Sequence, residues 1–137
     1  MRVHTHLNFG GNCREAFAFY EQHLGGTIGM VMVHGDQPGA SPLPEMQDKV
    51  LYAQLTLGEA EIFGNDVPAD RFQPMRSVYL SLTVDSTEEA ERVYVLLSGG
   101  GQIFMPMEEI FFADRFAMLR DRFGTSWMLT HPKPMQG

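Results

Sequence analysis

Apolar and polar side chains alternate along residues 1–9, 50–57 and 77–85, which is typical of β-strands that bury one face. Two segments carry apolar residues at helical spacing instead: Phe17, Tyr20 and Leu24 in the first, and Ala90, Val93, Tyr94 and Leu97 in the second. Shorter apolar runs predict strands over residues 27–34, through Ile62 and Phe63, and over residues 102–105, 115–119 and 126–130. The predicted order of elements is therefore βαβββ, used twice.

The two predicted helices lie in stretches of sequence that match each other at a constant offset of 74. Each helix follows a polar residue that is itself followed three positions later by glutamate, Asn12 with Glu15 and Ser86 with Glu89. This spacing predicts a capping box at both helix starts. Both stretches end on glycines, which favour a left-handed helix end.

The first strands of the two repeats match in apolar parity only at an offset of 75, one more than the helices. A shift of one residue would turn every side chain of a strand to the other face, so parity is the stricter guide to equivalence. The first repeat therefore has one extra residue near Gly10 and Gly11, and His4 corresponds to Tyr79.

The repeat predicts an α+β fold in which two βαβββ modules form curved mixed sheets around a cavity. The chain, residues 1–137, is interpreted as a single domain with module one over residues 1–64, a linker over residues 65–76 and module two over residues 77–137. Residues 34–49 have three prolines and no periodicity, which predicts a long loop that covers a binding site and is ordered by ligand.

The polar faces of the predicted strands are mostly uncharged and suit a small organic ligand. An equally weighted reading makes the histidines hydrogen-bonded residues of a polar sheet face and the tyrosines core residues with satisfied hydroxyls. The predicted lining consists of His4, His6, Asn8, Tyr52, Gln54, Thr56, Tyr79, Ser81 and Thr83, with Ser126, Met128 and Thr130 from the last strand.

Three further residues are candidates for chemistry. Glu108 and Glu109, in a predicted loop, are an acid or base near the cavity mouth, or solvated carboxylates, which is the favoured reading. Cys13 lies in the first turn of a helix, where the dipole lowers a thiol pKa, but no general base is evident and inert packing is favoured. Trp127 alternates with Met128 and is predicted to lie in the core.

Composition excludes several partners. Ten Lys and Arg against seventeen Asp and Glu, without a basic cluster, argue against nucleic acid. No run approaches the ~20 apolar residues of a membrane helix, so no membrane partner is expected. One cysteine and no signal-peptide pattern predict a cytoplasmic setting.

Four strings of sequence resemble the vicinal oxygen chelate superfamily, which includes glyoxalases, bleomycin-resistance proteins and dioxygenases, and within it the PhnB-like branch. They are HLNFGGNCREAFAFY, LGEAEIFGND, VDSTEEAERVY and RDRFGTSWML, and with the paired modules they cover nearly the whole chain. The superfamily spans lyases, isomerases, dioxygenases and antibiotic-sequestering proteins, so the resemblance implies a fold rather than one activity. It also implies a homodimer, since partner chains often complete such cavities.

In metal-using members four ligands, mostly His and Glu, lie on the first and third strands of each module. Carried over by position, these places fall on His4, Gln54, Tyr79 and Met128, of which only His4 is a good donor for a divalent metal. His6 shares the face of His4, but two imidazoles without a carboxylate bind metal weakly. No metal or other cofactor is therefore expected.

Three functions remain open at this point. The favoured one is binding of a small organic molecule without a tightly held metal. The alternative is a metal-dependent lyase, isomerase or dioxygenase that uses His4 and His6 with a carboxylate such as Glu108, and the third is a structural interaction domain. PhnB-like chains often carry a methyltransferase label, but the glycine clusters here lack the strand-to-helix turn and following acid that such enzymes use.

Overall fold

The computed structural model describes residues 1–39 and 43–134 of the 137-residue chain. The chain divides into two compact units, Met1–Gln73 and Pro74–Gly137, which are called the first and the second unit below. In both, the order of elements is βαβββ, which confirms the predicted α+β fold class.

The first unit has four strands and one helix: β1 (Thr5–Phe9), α1 (Cys13–Leu24), β2 (Thr27–Val33), β3 (Val50–Leu57) and β4 (Ala60–Asp66). Short 3-10 helices span His34–Asp36, Pro44–Met46 and Ala69–Arg71. The second unit has β5 (Leu80–Thr83), α2 (Thr87–Ser98), β6 (Gln102–Ile110), β7 (Ala113–Arg120) and β8 (Ser126–Pro132). No helix among the residues described here is long and apolar enough to cross a membrane.

The two sheets have the same topology. Their strand orders are β1-β4-β3-β2 and β5-β8-β7-β6, with the first pair parallel and the others antiparallel. In the first sheet Leu7 pairs with Gly64, and in the second Leu82 pairs with Leu129. These pairs are 75 residues apart at the first strand, while the helices begin 74 apart, which confirms the extra residue between β1 and α1.

In the first unit, α1 packs on the face of the sheet that carries Leu7 and Leu55. The helix buries Cys13, Ala16, Phe17 and Tyr20. A Cβ atom on Gly64 would lie 2.7 Å from Phe17 Cζ and 3.1 Å from Cys13 Sγ, so the glycine allows the helix to approach the sheet closely.

In the second unit, α2 buries Ala90, Val93 and Leu97. The apolar face of its sheet includes Leu119, Trp127 and Leu129, all at most 2% exposed, which confirms that Trp127 is a core residue. Trp127 Nε1 donates a 2.9 Å hydrogen bond to Asp121 Oδ2, while Asp121 Oδ1 accepts from the backbone N–H groups of Phe123 and Thr125. The buried carboxylate thus holds the turn before β8 and satisfies the indole.

The helix starts differ from the prediction. Ser86 caps α2, because its hydroxyl accepts a 3.1 Å hydrogen bond from the Glu89 N–H. Asn12 makes no such bond, so the predicted capping box at α1 is wrong. Asp66, at the end of β4, accepts hydrogen bonds from the N–H groups of Gly11 and Cys13 instead. Asp66, which is distant in the sequence, therefore caps the start of α1, the role that the local pattern predicted for Asn12.

The helix ends differ as well. Gly25 after α1 is left-handed, with φ of 78°, as predicted. The cap of α2, Gly99, is extended, and the left-handed residue is Gly100, with φ of 73°.

Several element boundaries also change. Glu108 and Glu109, predicted in a loop, lie inside the nine-residue strand β6. Strand β4 runs through Asp66, two residues past the predicted end of module one. In the segment predicted as a long loop, residues 34–36 and 44–46 form 3-10 turns, and residues 40–42 lie outside the described part of the chain.

Candidate functional site

The face of the first sheet opposite α1, called here the first helix-free face, carries a row of polar and aromatic side chains. His6 pairs with Phe63, and Phe63 pairs with Gln54, so these three side chains share one side of the sheet. His6 Nε2 lies 2.6 Å from Oδ1 of Asn65, which pairs with Asn8. The structure therefore brings the polar residues predicted on β1 and β3 onto one surface.

His4 lies just before β1, beside the carboxylate of Glu61. The distance from His4 Nδ1 to Glu61 Oε2 is 3.9 Å, and the other carboxylate oxygen accepts a 3.1 Å hydrogen bond from Gln54 Nε2. The Phe63 ring contacts His4 edge-on at 5.2 Å and Tyr52 at 5.6 Å, centroid to centroid. Phe63 is thus the aromatic centre of this face.

Sequence analysis missed Glu61, Phe63 and Asn65, the three residues of β4 on this face. The signal was present, because the string AEIFGND alternates these residues with buried Ile62, Gly64 and Asp66. The predicted strand was cut too short to show it.

The corresponding surface of the second unit, called the second helix-free face, is richer in methionine. Ser81 pairs with Met128, Met128 with Met118, and Met118 with Met105. Farther along the sheet, Thr130 pairs with both Thr83 and Phe116, and Glu108 pairs with Phe116. Glu108 therefore belongs to a sheet face rather than to a loop.

Met128 lies on β8, the fourth strand of its unit, whereas Gln54 lies on β3, the third strand of the first unit. The pairing makes Phe63 the counterpart of Met128, and Met118 the counterpart of Gln54. The placement of both residues on third strands, implied by the resemblance, is therefore wrong for Met128.

Each unit contains a cavity. One of about 420 Å³ lies in the first unit between the Gly10-Gly11 turn, residues 43–49 and residues 67–70. Lys49 Nζ, in its lining, donates a 3.0 Å hydrogen bond to the Gly11 carbonyl. The other, of about 400 Å³, lies in the second unit and is lined by Met75, Arg76, Ser77, Tyr79, Phe104, Arg120 and Ser126. Tyr79 and Ser126, both in the predicted lining, lie in the walls of this second cavity.

The donor set does not fit a metal centre of the kind the fold family implies. A catalytic zinc site uses three protein ligands, usually imidazole or carboxylate. In residues 1–39 and 43–134, no group of three or more His, Cys, Asp and Glu side chains is arranged to hold a metal ion. His4 and Glu61 are two such donors, and one Glu61 oxygen is engaged by Gln54.

Cys13, the first residue of α1, is buried between the helix and the sheet, next to Gly64 and Asp66. Burial, and to a smaller degree the Asp66 carboxylate, raise the thiol pKa from 9.0 to about 12. The thiolate needed for nucleophilic attack is therefore disfavoured, which supports inert packing for Cys13. The pKa of Glu109 is lowered, chiefly by its hydrogen bond to Lys133 Nζ at 2.9 Å, so Glu109 is paired and ionised at neutral pH.

The fold matches those of several solved structures. A glyoxylase/bleomycin resistance protein/dioxygenase domain from Frankia sp. superposes with a TM-score of 0.62 at 17% identity, covering 97% of this chain and 98% of that one. The PhnB protein from Bacillus cereus is more similar, with a TM-score of 0.82 and 28% identity over 96% of this chain and 99% of that one. Protein PA1353 from Pseudomonas aeruginosa reaches 0.86 and 37%, over 98% and 99%. The likeness to the Frankia domain shows the fold, and the two more similar structures cover almost the whole chain.

A family model described as 3-demethylubiquinone-9 3-methyltransferase matches residues 1–130. The chain belongs to this family, the PhnB-like branch that the sequence strings indicated. The geometry lends no support to the methyl transfer that the description names. In the glycine turn before α1 the N–H groups of Gly11 and Cys13 donate to Asp66, and among the described residues each sheet packs against one helix.

Proposed function

We propose that the protein binds a small organic molecule on its helix-free faces, without a tightly bound metal. The proposal rests on the alternation of side chains between the two faces of each sheet. The helices bury one face of each sheet. The other face carries mainly uncharged polar, aromatic and methionine side chains, most of them at intermediate or full exposure, although Phe116 and Ser126 are buried. Such a surface offers directional hydrogen bonds and adaptable apolar contacts, which suit a small ligand.

The ligand contacts proposed in the first unit are His4, His6, Asn8, Tyr52 and Gln54. Those in the second unit are Tyr79, Ser81, Glu108 and Met128. The hydrogen bonds between His6 and Asn65, and between Gln54 and Glu61, support this assignment because they hold polar groups in place before a ligand arrives.

A thermal-shift screen of metabolites and antibiotics tests the proposal, because a compound that binds only the native state raises the Tm. We expect at least one compound to raise the Tm of the wild type. Its effect should weaken in the His6→Ala and Tyr79→Ala variants and persist in Arg14→Ala, an exposed position at the start of α1. A Tm increase that survives both site substitutions would contradict the assignment.

Metal content is tested separately by elemental analysis of protein purified without chelators. The proposal expects less than stoichiometric zinc, nickel, manganese and iron. Stoichiometric metal that disappears in His4→Ala would favour the alternative, a metal-dependent lyase, isomerase or dioxygenase, with Glu61 as the carboxylate beside His4.

We also propose that the protein forms a homodimer in a cytoplasmic setting. An apolar strip on the edge strand β2 supports a self-association surface, since Met30, Val31 and Met32 are 54%, 38% and 36% exposed. Light scattering should give twice the monomer mass for the wild type and a lower mass for Met30→Lys. Val95→Lys, at a 69% exposed position on α2, should behave as the wild type. A monomeric wild type would refute the dimer.

A further inference from the structure

The cavity of about 400 Å³ in the second unit differs in charge from the chain as a whole. Acidic residues outnumber basic ones seventeen to ten in the sequence, yet none of the described residues that line this cavity is acidic, and two are arginines. In the part of the chain that the structure describes, neither Arg76 nor Arg120 forms an ion pair with a carboxylate. The cavity therefore presents uncompensated positive charge.

Arg120, near the end of β7, is held in place but has donors to spare. One guanidinium nitrogen, Nη2, donates a 3.1 Å hydrogen bond to the Met75 carbonyl, and the guanidinium carbon lies 5.3 Å from the centre of the Phe104 ring. Its Nε–H is buried and has no acceptor among the described residues. A guanidinium carries five N–H donors, so a positioned Arg120 can bind an oxyanion with two parallel hydrogen bonds.

The remaining walls suit the body of an organic ligand. The Tyr79 ring meets the Phe104 ring edge-on, with centroids 6.4 Å apart. Ser126 Oγ donates to the same Met75 carbonyl that accepts from Arg120. Two side chains of the sheet therefore hold the segment before β5 in place. Ser77 in that segment has φ of 60°, a left-handed conformation that is strained for a residue with a side chain.

We propose that this cavity binds the anionic group of a small organic acid, a carboxylate or a phosphate ester. Arg120 is its two-pronged donor, Arg76 supplies a second positive charge, and Phe104 and Tyr79 contact the apolar body of the ligand. The inference rests on the proposed function, because it names the chemical class of a ligand for the second helix-free face.

Titration with three small probes that share a phenyl ring tests the charge requirement. Benzoate and phenyl phosphate carry the two candidate anions, and benzamide is the neutral control. Binding is followed by amide shifts in ¹H–¹⁵N NMR spectra at low ionic strength, since salt screens the attraction. We expect at least one anion to bind about tenfold more tightly than benzamide, with shifts centred on residues 75–79 and 120.

Two variants that lose the same single charge test the residue assignment. Arg120→Gln should weaken the anion about tenfold or more and leave benzamide unchanged. Arg92→Gln, on the exposed surface of α2 and outside the cavity lining, should change the affinity less than about twofold, because water weakens the attraction between exposed, separated charges. If Arg120→Gln does not fold, the exposed Arg76→Gln carries the comparison, with a smaller loss of about three- to fivefold.

Equal affinity for benzoate, phenyl phosphate and benzamide would overturn the proposal, as would equal losses in Arg92→Gln and in the cavity variant. Failure here is distinguishable from failure of the proposed function. A neutral compound whose Tm effect depends on Tyr79, together with equal affinity for the anions and benzamide, would refute the anion cavity and leave small-molecule binding intact. Anion binding that is lost in Arg120→Gln, together with no compound whose Tm effect depends on His6, would keep the anion cavity and refute the contacts proposed on the first helix-free face.

Discussion

The two units share one topology but differ in how they use it. The first helix-free face carries a hydrogen-bonded set of His6, Asn65, Gln54 and Glu61, whereas the second carries three paired methionines beside an arginine cavity. The helices differ too, because α2 is capped by its neighbour Ser86 and α1 by Asp66 from a distant strand. The two units therefore share a backbone topology but differ in the chemistry of their helix-free faces and in the contacts that stabilise their helices.

The largest expected effect concerns the two helix caps. Asp66 is 2% exposed and accepts backbone hydrogen bonds from Gly11, Cys13 and Val50. Asp66→Asn removes the charge and replaces one of the two accepting oxygens by an NH₂ group, which faces a backbone N–H that it cannot accept from. We therefore expect a loss of about 3 kcal/mol in the free energy of unfolding. Ser86→Ala should cost about 1 kcal/mol. Urea unfolding followed by circular dichroism measures both, and equal losses would remove the distinction between the caps.

The next effect concerns helix packing. Gly64 in the first unit stands where the second unit has Leu129, and the first helix fills the space with Phe17. Gly64→Ala should destabilise the protein by about 2 kcal/mol, because its Cβ would overlap the Phe17 ring. Gly29→Ala is the control, since its nearest neighbour, Gln54 Oε1, is 3.5 Å away. A harmless Gly64→Ala would mean that α1 packs no more closely than α2.

A smaller difference lies in alkaline stability. Cys13 matches Thr87 at the helix offset, so the first unit has a buried titratable group where the second has none. The folded pKa of about 12 is raised above the ordinary 9.0, so its stabilising contribution is present below pH 9 and is lost as the pH rises toward 12. The alkaline decline in Tm should therefore be shallower in Cys13→Ala than in the wild type. Parallel declines would argue that Cys13 is accessible.

The smallest effect is expected on the surface of β6. The lowered pKa of Glu109 means that its pairing with Lys133 stabilises the fold above the ordinary carboxyl pKa and is lost as the pH falls through the folded value. Glu109→Gln should lower the Tm slightly at pH 7 in low salt, and the difference should vanish in high salt or in acid. Glu108→Gln, its neighbour without that contact, should show no salt-dependent change.

The sequence predicted the elements of both units well because apolar periodicity and glycine placement are local signals. The strand Val50–Leu57 and the end of α1 at Leu24 were found at their observed positions. The role of Asp66 was not predictable in the same way. It depends on the pairing of β1 with β4, which brings together residues 53 positions apart, and no local pattern encodes that contact.

The candidate site likewise has a part that local alternation predicted and a part that depends on strand pairing. Alternation placed His6, Asn8, Gln54 and Ser81 on the helix-free faces, as the sequence analysis expected. The position of Arg120 in a cavity was not predicted, because the cavity walls come from three strands and from the segment before β5. Arg120 ends strand β7, and only the register of β7 with its neighbours shows which residues surround it.

The dependence of α1 on Asp66 has a consequence for the order of events during synthesis. Residues 12–24 emerge from the ribosome before residue 66, so the N–H groups of Gly11, before the helix, and of Cys13, its first residue, lack the Asp66 acceptor until β4 has emerged. The second helix carries its own acceptor in Ser86 and has no such delay. We therefore expect the first unit to remain incompletely stabilised in a nascent chain until Asp66 has emerged from the ribosome.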